Sequence, residues 1–306
     1  MTDLTTRHPT LARNVADTWG PTGRHWLDQL PVQLAAVAGR LGVQLGDPFD
    51  LTFHWVSRAV AGDGTPVVVK LGPTAGHLDR EAEALGIFAG HGAVRLLDTD
   101  PTTGALLLER ATPGTPVGAM VAQRDVEATA VLLAAMGRLH RPPPPGCRLP
   151  TLDGYRAALT GHLRRHPADQ PLPRDLVDTA AGLFTELCAD APPAVVLHGD
   201  LHHDNVLAAT RQPWLAIDPH GVVGDPAYDA AALLYNPDPW RRDQRLLDLV
   251  PARIEQLAAG LGTTVDRIVA WGFVQGVLSE VWTAQGDGTP GSRALDVARL
   301  LRPRLR

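Results

Sequence analysis

Between residues 9 and 43 the apolar positions recur with a helical period: Leu11, Val15 and Ala16, then Trp26, Leu30, Leu34, Val37 and Leu41. Pro21 and Pro31 act as breaks in this pattern, and Asp47-Pro48 ends it. From Leu51 to Ala61 the pattern becomes that of a strand. Gly62-Asp63-Gly64-Thr65 then supplies turn chemistry, and Pro66-Val67-Val68-Val69-Lys70-Leu71 forms a second strand, so a hairpin is predicted. A short helix is expected over residues 77–90, with Leu78, Ala82, Leu85 and Phe88 or Ala89 as its buried stripe. Ala93 to Asp98 and Gly104 to Glu109 are two more strands, closing a small antiparallel sheet.

Beyond residue 111 helices dominate. Residues 125–140 carry Val126, Ala130, Leu133 and Leu132, Met136, Leu139 on an inner side, and Arg-Pro-Pro-Pro-Pro-Gly stops that helix after His140. Helices near 151–165, 174–189 and 263–286 follow the same logic. Set among them are the short apolar runs Val195-Val196-Leu197, Val206-Leu207 and Trp214-Leu215-Ala216-Ile217, too brief for helices. The layout is α+β, with a sheet-bearing part at 1–110 (residues 1–47 a helical extension) and a mostly helical part at 111–306.

A chain of 306 residues with 44% hydrophobic content can bury such a core. The charge of −5 argues against nucleic acid as partner and tolerates a cationic one. Cys147 and Cys188 show no C-x-x-C spacing, so neither a disulfide framework nor a zinc site is indicated. The start has no apolar signal core, and no run approaches ~18 apolar residues, so a cytoplasmic protein without membrane association is expected. Lys70 is the only lysine among 28 basic residues. A position that keeps lysine against this bias is a candidate for needing a compact, flexible ammonium.

The densest polar segment lies between two of the short apolar runs: His198-Gly199-Asp200-Leu201-His202-His203-Asp204-Asn205. Asp200 and Asn205 have the D-x-x-x-x-N spacing in which a carboxylate takes a hydroxyl proton and an amide oxygen holds a metal. Asp218 closes the next apolar run, where a carboxylate followed by Pro and Gly can bridge a magnesium between phosphate oxygens. Lys70 at a strand end suits nucleotide phosphates, and Glu81 on the following helix suits the ammonium of Lys70, with Glu83 lying further round. The exit of the strand through Glu109, Arg110 and Ala111 offers backbone groups to an adenine edge. His198 is expected to brace backbone carbonyls, and Asp229 to accept from backbone N–H groups of the polar loop. Asp225 is either a helix cap or a substrate contact.

Several other readings compete with phosphoryl transfer. His202 and His203 suggest a metallohydrolase, but His-x-Asp-x-His-His is not a zinc-ligand pattern and no H-E-x-x-H accompanies it. Without a G-x-G-x-x-G before Lys70 or an Ala-Pro-Glu after Asp218, a protein kinase is disfavoured. A non-catalytic nucleotide-binding module is disfavoured because Lys70, Asp200, Asn205 and Asp218 are all filled. For the acceptor, Glu280 and Trp282, with Asp225 or Asp287, form a candidate set in which acid beside tryptophan would receive a cation. Core positions for Trp271 and Trp282 and a turn for Asp287 are the alternative. Tyr235 to Trp240 is expected to be a rigid loop.

Taken in order, Lys70, Glu81, Leu139-His140, His-Gly-Asp-Leu-His-His-Asp-Asn, Ile-Asp-Pro-His-Gly and Gly-Asp-Pro-Ala-Tyr-Asp resemble the aminoglycoside phosphotransferase superfamily. The segment from Trp214 to Pro237 most resembles its streptomycin 6-kinase and hydroxyurea phosphotransferase branch. The resemblance covers about residues 45 to 290 and implies a protein-kinase-like two-lobed fold, ATP with Mg2+, and O-phosphorylation of a small hydroxylated substrate. It implies Asp200 as base, Asn205 and Asp218 as magnesium ligands, Lys70 with Glu81 at the phosphates, and residues 109–111 as adenine hinge. Streptomycin, phosphorylated at its 6-position, is the substrate expected from the branch, with a cellular sugar or amino alcohol as the alternative.

Overall fold

The computed structural model describes residues 4–74, 76–168, 170–286 and 288–305. The chain divides into two compact units, residues 1–90 with 94–111, and residues 91–93 with 112–306.

The first unit holds the helices α1 (Leu4–Arg7), α2 (Pro9–Leu41) and α3 (Asp79–Phe88). Its strands are β1 (Val43–Pro48), β2 (Trp55–Ala61), β3 (Pro66–Leu71), β4 (Leu96–Thr99) and β5 (Leu106–Glu109), in the antiparallel order β1-β2-β3-β5-β4. Register decides which side chains share a face. Trp55 pairs with Leu71, Ser57 with Val69 and Ala59 with Val67, so these six point to one side of the sheet. That side packs on Leu11, Val15, Trp26, Leu30, Leu34 and Val37 of α2. The N-terminal helix therefore seals an apolar sheet face, and each large side chain so buried contributes roughly 1.5–3 kcal/mol. Lys70 pairs with Val56 and with Leu106 and so points to the opposite side.

Two expectations change here. Of the two proline breaks only the first is present: Gly20, directly before Pro21, is non-helical at φ 53° and ψ −128°, so two helical segments of α2 meet there at a kink, and the second continues unbroken through Pro31 to Leu41. It then stops at Gly42, whose left-handed φ of 64° turns the chain, and Val43–Pro48 forms the edge strand β1 that the helical reading concealed. In α3 the buried side is Glu81, Ala84, Leu85 and Phe88, while Ala82 is only half-buried.

The second unit holds β6 (Pro113–Pro116), α4 (Val121–Leu139), α5 (Asp153–Arg165), α6 (Arg174–Ala189), β7 (Val195–Leu197), β8 (Val206–Ala209), β9 (Trp214–Ala216) and β10 (Val222–Gly224). It ends with α7 (Ala227–Ala231), α8 (Gln244–Asp248), α9 (Val250–Leu261), α10 (Val265–Gln285) and α11 (Arg293–Leu301). Helix α10 is apolar on most of its circumference and is buried along its length, from Ile268 to Val281. Close approach is built in at Gly276, where a Cβ would stand 2.7 Å from the carbonyl oxygen of Ala294. The inner side of α4 is Val121, Ala128, Thr129, Leu132, Ala135, Met136 and Leu139, and Val126 is 67% exposed. Leu132, Met136 and Leu139 thus face inward as expected, whereas Val126 and Ala130 are exposed; a kink at Arg124 (φ −142°, ψ 52°) separates this run from the turn before it.

In the first unit, Arg40 in the last turn of α2 grips Asp100 through two bonds, Nε to Oδ1 at 2.6 Å and Nη2 to Oδ2 at 2.7 Å. Asp100 is buried and also accepts from the Thr103 backbone N–H and hydroxyl. The Arg40 hydrogen bonds, acting against burial, hold the Asp100 carboxyl well below its ordinary value. A carboxyl depressed on folding stabilises the fold above its unfolded pKa and loses that contribution as the pH falls through the folded value. In denaturant titrations, the gap in midpoint between wild type and Asp100→Asn should be constant above about pH 5 and shrink below about pH 4. A gap that persists unchanged to pH 2 would show that the charge plays no part.

Candidate active site

The polar segment singled out from sequence is the loop between β7 and β8. Strand β7 pairs with β10 and β8 with β9, and the main chain between β9 and β10 carries Asp218 and His220. Asp229, the third residue of α7, holds this arrangement from beneath. It is 1% exposed, and its Oδ2 accepts from the His198 backbone N–H at 2.9 Å while Oδ1 accepts from that of Gly199 at 2.8 Å. Its Oδ2 also bonds Nε2 of His140, the residue that ends α4, at 3.0 Å. Burial opposes the Asp229 charge, but the His140 hydrogen bond and the surrounding histidines hold its carboxyl below the ordinary value.

His198 extends the clamp. Its Nε2 lies 2.8 Å from the carbonyl oxygen of Ile217, and its backbone carbonyl accepts from the Gly221 N–H at 3.1 Å. The Ile217 N–H in turn bonds the carbonyl of Asn205 at 2.9 Å. Three polar residues spread over nineteen positions, Asp200, Asn205 and Asp218, are thus tied into one backbone network. Gly199 sits at φ 85°, where a Cβ would stand 3.1 Å from both His220 Cβ and Val222 Cγ1. Asp218 has no such excuse: it is a non-glycine residue at φ 59°, a conformation costing about 1–2 kcal/mol.

Asn205 Nδ2 donates to the carbonyl of Asp200 at 2.9 Å and lies 3.4 Å from its Oδ2. The amide is oriented by these contacts, which turns its oxygen away from Asp200. An amide oxygen and a carboxylate are hard oxygen donors of the kind magnesium takes, so the residues present fit that ion. Around Asp200 are two imidazoles, His202 Nε2 at 3.6 Å and His220 Nε2 at 3.9 Å from Oδ2. Burial would raise the Asp200 carboxyl, yet His202 and His220 hold it below its ordinary value. Burial would likewise lower His202, and the Asp200 charge outweighs it and raises the imidazole. Asp200 is therefore an ionised carboxylate with 36% of its side chain open to solvent.

In the first unit, Lys70 Nζ lies 2.6 Å from Glu81 Oε2, and both residues are almost fully buried. The unique lysine is thus an ion-paired ammonium on the sheet face opposite α2. Glu109 Oε2 accepts from the Arg95 backbone N–H at 3.0 Å, and Glu109, Arg110 and Ala111 are half-buried at the end of β5.

Two of the substrate contacts expected from sequence, Asp225 and Glu280, are corrected by the structure. Asp225 is 2% exposed; its Oδ1 accepts from the Ala227 N–H at 2.9 Å, and its Oδ2 from Arg267 Nε at 2.7 Å and Trp271 Nε1 at 2.5 Å. It caps the entry to α7 and has no oxygen left for a substrate. Glu280 is fully buried and accepts from the backbone N–H groups of Gly291 and Ser292, at 2.5 and 3.0 Å, and from the Ser292 hydroxyl. It anchors the chain entering α11. Trp271 is a core residue, whereas Trp282 is 36% exposed and stands edge-to-face with Tyr155 at 5.5 Å. Asp287 lies outside the described residues. Sequence reasoning gave no role to His220 and treated His202 only as a metal ligand. The signal for both was proximity in sequence to Asp200 and Asp218.

Fold and loop together define a protein-kinase-like phosphotransferase. Residues 43–288 match the aminoglycoside/hydroxyurea antibiotic resistance kinase family, and the chain belongs to that family. It is 32% identical to a streptomycin 6-kinase of Streptomyces glaucescens, over 94% of this chain and 92% of that one. The same identity relates it to a hydroxyurea phosphotransferase of Kitasatospora aureofaciens, over 92% and 82%. Among solved structures, a choline/ethanolamine kinase family protein from Mesorhizobium loti superposes with a TM-score of 0.61 at 17% identity, covering 91% of this chain and 93% of that one. The chain is a phosphotransferase with an alcohol group as acceptor. Among the described residues no helix is long and apolar enough to cross a membrane.

Replacing Asp229 by Ala would orphan two buried backbone N–H groups at once. Each such group costs roughly 1–3 kcal/mol, so the variant should lose about 2–5 kcal/mol of unfolding free energy in denaturant titration. Unchanged stability would mean that the loop finds other partners.

Proposed function

We propose that the protein transfers the γ-phosphoryl group of ATP to a hydroxyl of a small cationic acceptor, with streptomycin and its 6-hydroxyl as the best-supported choice. The observation that carries this reading is Asp200 itself. It is an ionised, solvent-reachable carboxylate on a loop fixed by Asp229, with the amide of Asn205 oriented against it. That is the equipment for removing a hydroxyl proton while metal and phosphates are held nearby.

In this mechanism Asp200 takes the proton of the acceptor hydroxyl as its oxygen forms a bond to the γ-phosphorus. The bond from that phosphorus to the β–γ bridging oxygen breaks, and ADP leaves with the electron pair. Asn205, through Oδ1, and Asp218, through its carboxylate, would hold Mg2+, which when bound neutralises charge on the phosphate oxygens. Lys70, kept in place by Glu81, contacts phosphates, and Glu109, Arg110 and Ala111 present backbone groups to the adenine. Residues 1–110 then form the nucleotide-binding lobe, and residues 111–306 supply the base, the metal ligands and the acceptor contacts. The streptomycin 6-kinase relatives, matched over more than nine-tenths of this chain, support the choice of acceptor. A specific observation favours hydroxyurea as the second reading: its phosphotransferase is just as similar, at 32% identity.

ADP release from Mg-ATP, measured with streptomycin, hydroxyurea and a panel of sugars and amino alcohols, separates these acceptors. Asp200→Asn should lose roughly 10²–10⁴ in turnover with nucleotide binding preserved. Near-wild-type turnover in that variant would remove Asp200 as the base. Asp218→Ala should weaken the magnesium-dependent part of ATP binding, measured by calorimetry with and without the ion.

A further inference from the structure

The segment between α7 and α8 is held more tightly than a surface loop requires. Two buried arginines are used on it. Arg253, 1% exposed, donates to the carbonyls of Leu233 and Asn236, the latter at 2.7 Å, and pairs with Asp125 at 2.6 Å. Arg293, fully buried, donates to the carbonyls of Tyr235 (3.0 Å), Pro237 and Arg241. The Arg293 backbone N–H bonds the Pro239 carbonyl at 2.8 Å, and Asn236 Nδ2 bonds that of Ala232 at 3.0 Å. Seven carbonyls between residues 232 and 241 are thus fixed. Within the same stretch Asp238 is exposed and adopts φ 44°, strained for a non-glycine residue. Trp240 follows, 60% exposed.

This loop abuts the catalytic loop. A Cβ built on Gly118 would stand 2.6 Å from Asp204 Oδ1 and 3.5 Å from Pro237 Cβ, so Pro237 comes within about 6 Å of the residue preceding Asn205.

We infer that residues 235–241 form the acceptor-recognition element, in which the Asp238 carboxylate and the Trp240 indole receive a cationic group of the substrate. Rigid presentation of an exposed aromatic and a carboxylate, on a loop that abuts the one carrying Asp204, suits guanidinium or ammonium: the carboxylate accepts charge-assisted hydrogen bonds and the ring face takes the cation. The inference rests on the proposed cationic, hydroxylated acceptor. It replaces the contact set based on Glu280 and Asp225, both consumed inside the fold.

Steady-state kinetics of wild type, Asp238→Asn, Trp240→Ala and Trp240→Phe with the acceptor panel test it. Asn tolerates positive φ, so Asp238→Asn removes charge without disturbing the backbone. The KM for a cationic acceptor should rise roughly 5- to 50-fold in Asp238→Asn and Trp240→Ala, with the KM for ATP unchanged and partial recovery in Trp240→Phe. An acceptor KM within about twofold of wild type in both variants overturns the inference. If no aminoglycoside is phosphorylated but another cationic alcohol is, the choice of antibiotic fails, and the same KM comparison still decides the role of the loop. Phosphorylation of uncharged alcohols alone overturns it. Without any turnover, calorimetry with streptomycin decides: binding to wild type that is lost in Trp240→Ala supports the inference, and equal binding to both, or none to wild type, overturns it.

Discussion

The second unit depends most on one buried carboxylate. Asp229 could not stay ionised in an apolar interior without donors, and it is given three: two consecutive backbone N–H groups and the His140 ring. The dependence is mutual, since those N–H groups belong to a turn that strands and helices cannot satisfy. By fixing His198 and Gly199, the carboxylate fixes the direction in which Asp200 leaves the loop. The His198 ring then carries the constraint across to Ile217 and hence to Asp218. Asp200, Asn205 and Asp218, on two loops, are all tied to this one buried carboxylate.

The same solution recurs at a larger scale. Where the chain runs irregularly at depth, its polar main-chain groups are gathered by side chains rather than by ladders: Arg253 and Arg293 hold carbonyls of residues 233–241 as Asp229 holds the N–H groups of residues 198–199. Charge-bearing groups bonded to main chain are costly to desolvate but specify one backbone course, which apolar packing alone would leave loose. In the first unit the constraint is apolar instead. Helix α2 covers one sheet face, so the other is free to carry an ion pair made by Lys70 and Glu81.

How much of this was legible in the sequence follows from the range of the interactions. Helical and strand periods are local, so most elements could be placed, and the D-x-x-x-x-N spacing brought Asp200 and Asn205 to one loop. Strand β1 was hidden because Leu45, four residues after Leu41, continues the helical spacing across the stop at Gly42. In α4 the apolar positions mark two adjacent stripes, and only the one through Leu132, Met136 and Leu139 is buried. Glu280 reads as an exposed acid beside tryptophan, and Asp225 as either a helix cap or a substrate contact. Only their long-range partners, Ser292 for one and Arg267 with Trp271 for the other, show them to be internal fasteners. A carboxylate's sequence neighbours do not reveal whether its oxygens are already taken.

The burial of Lys70 has a consequence for how the molecule meets reagents. It is the chain's only lysine and is 3% exposed, so the positive charge of the folded surface is carried by guanidinium groups. Acylating reagents that seek ε-amines would find none on the folded surface. Unfolding releases a single ε-amine, so label at Lys70 counts open molecules directly, one for each chain that has lost its first unit.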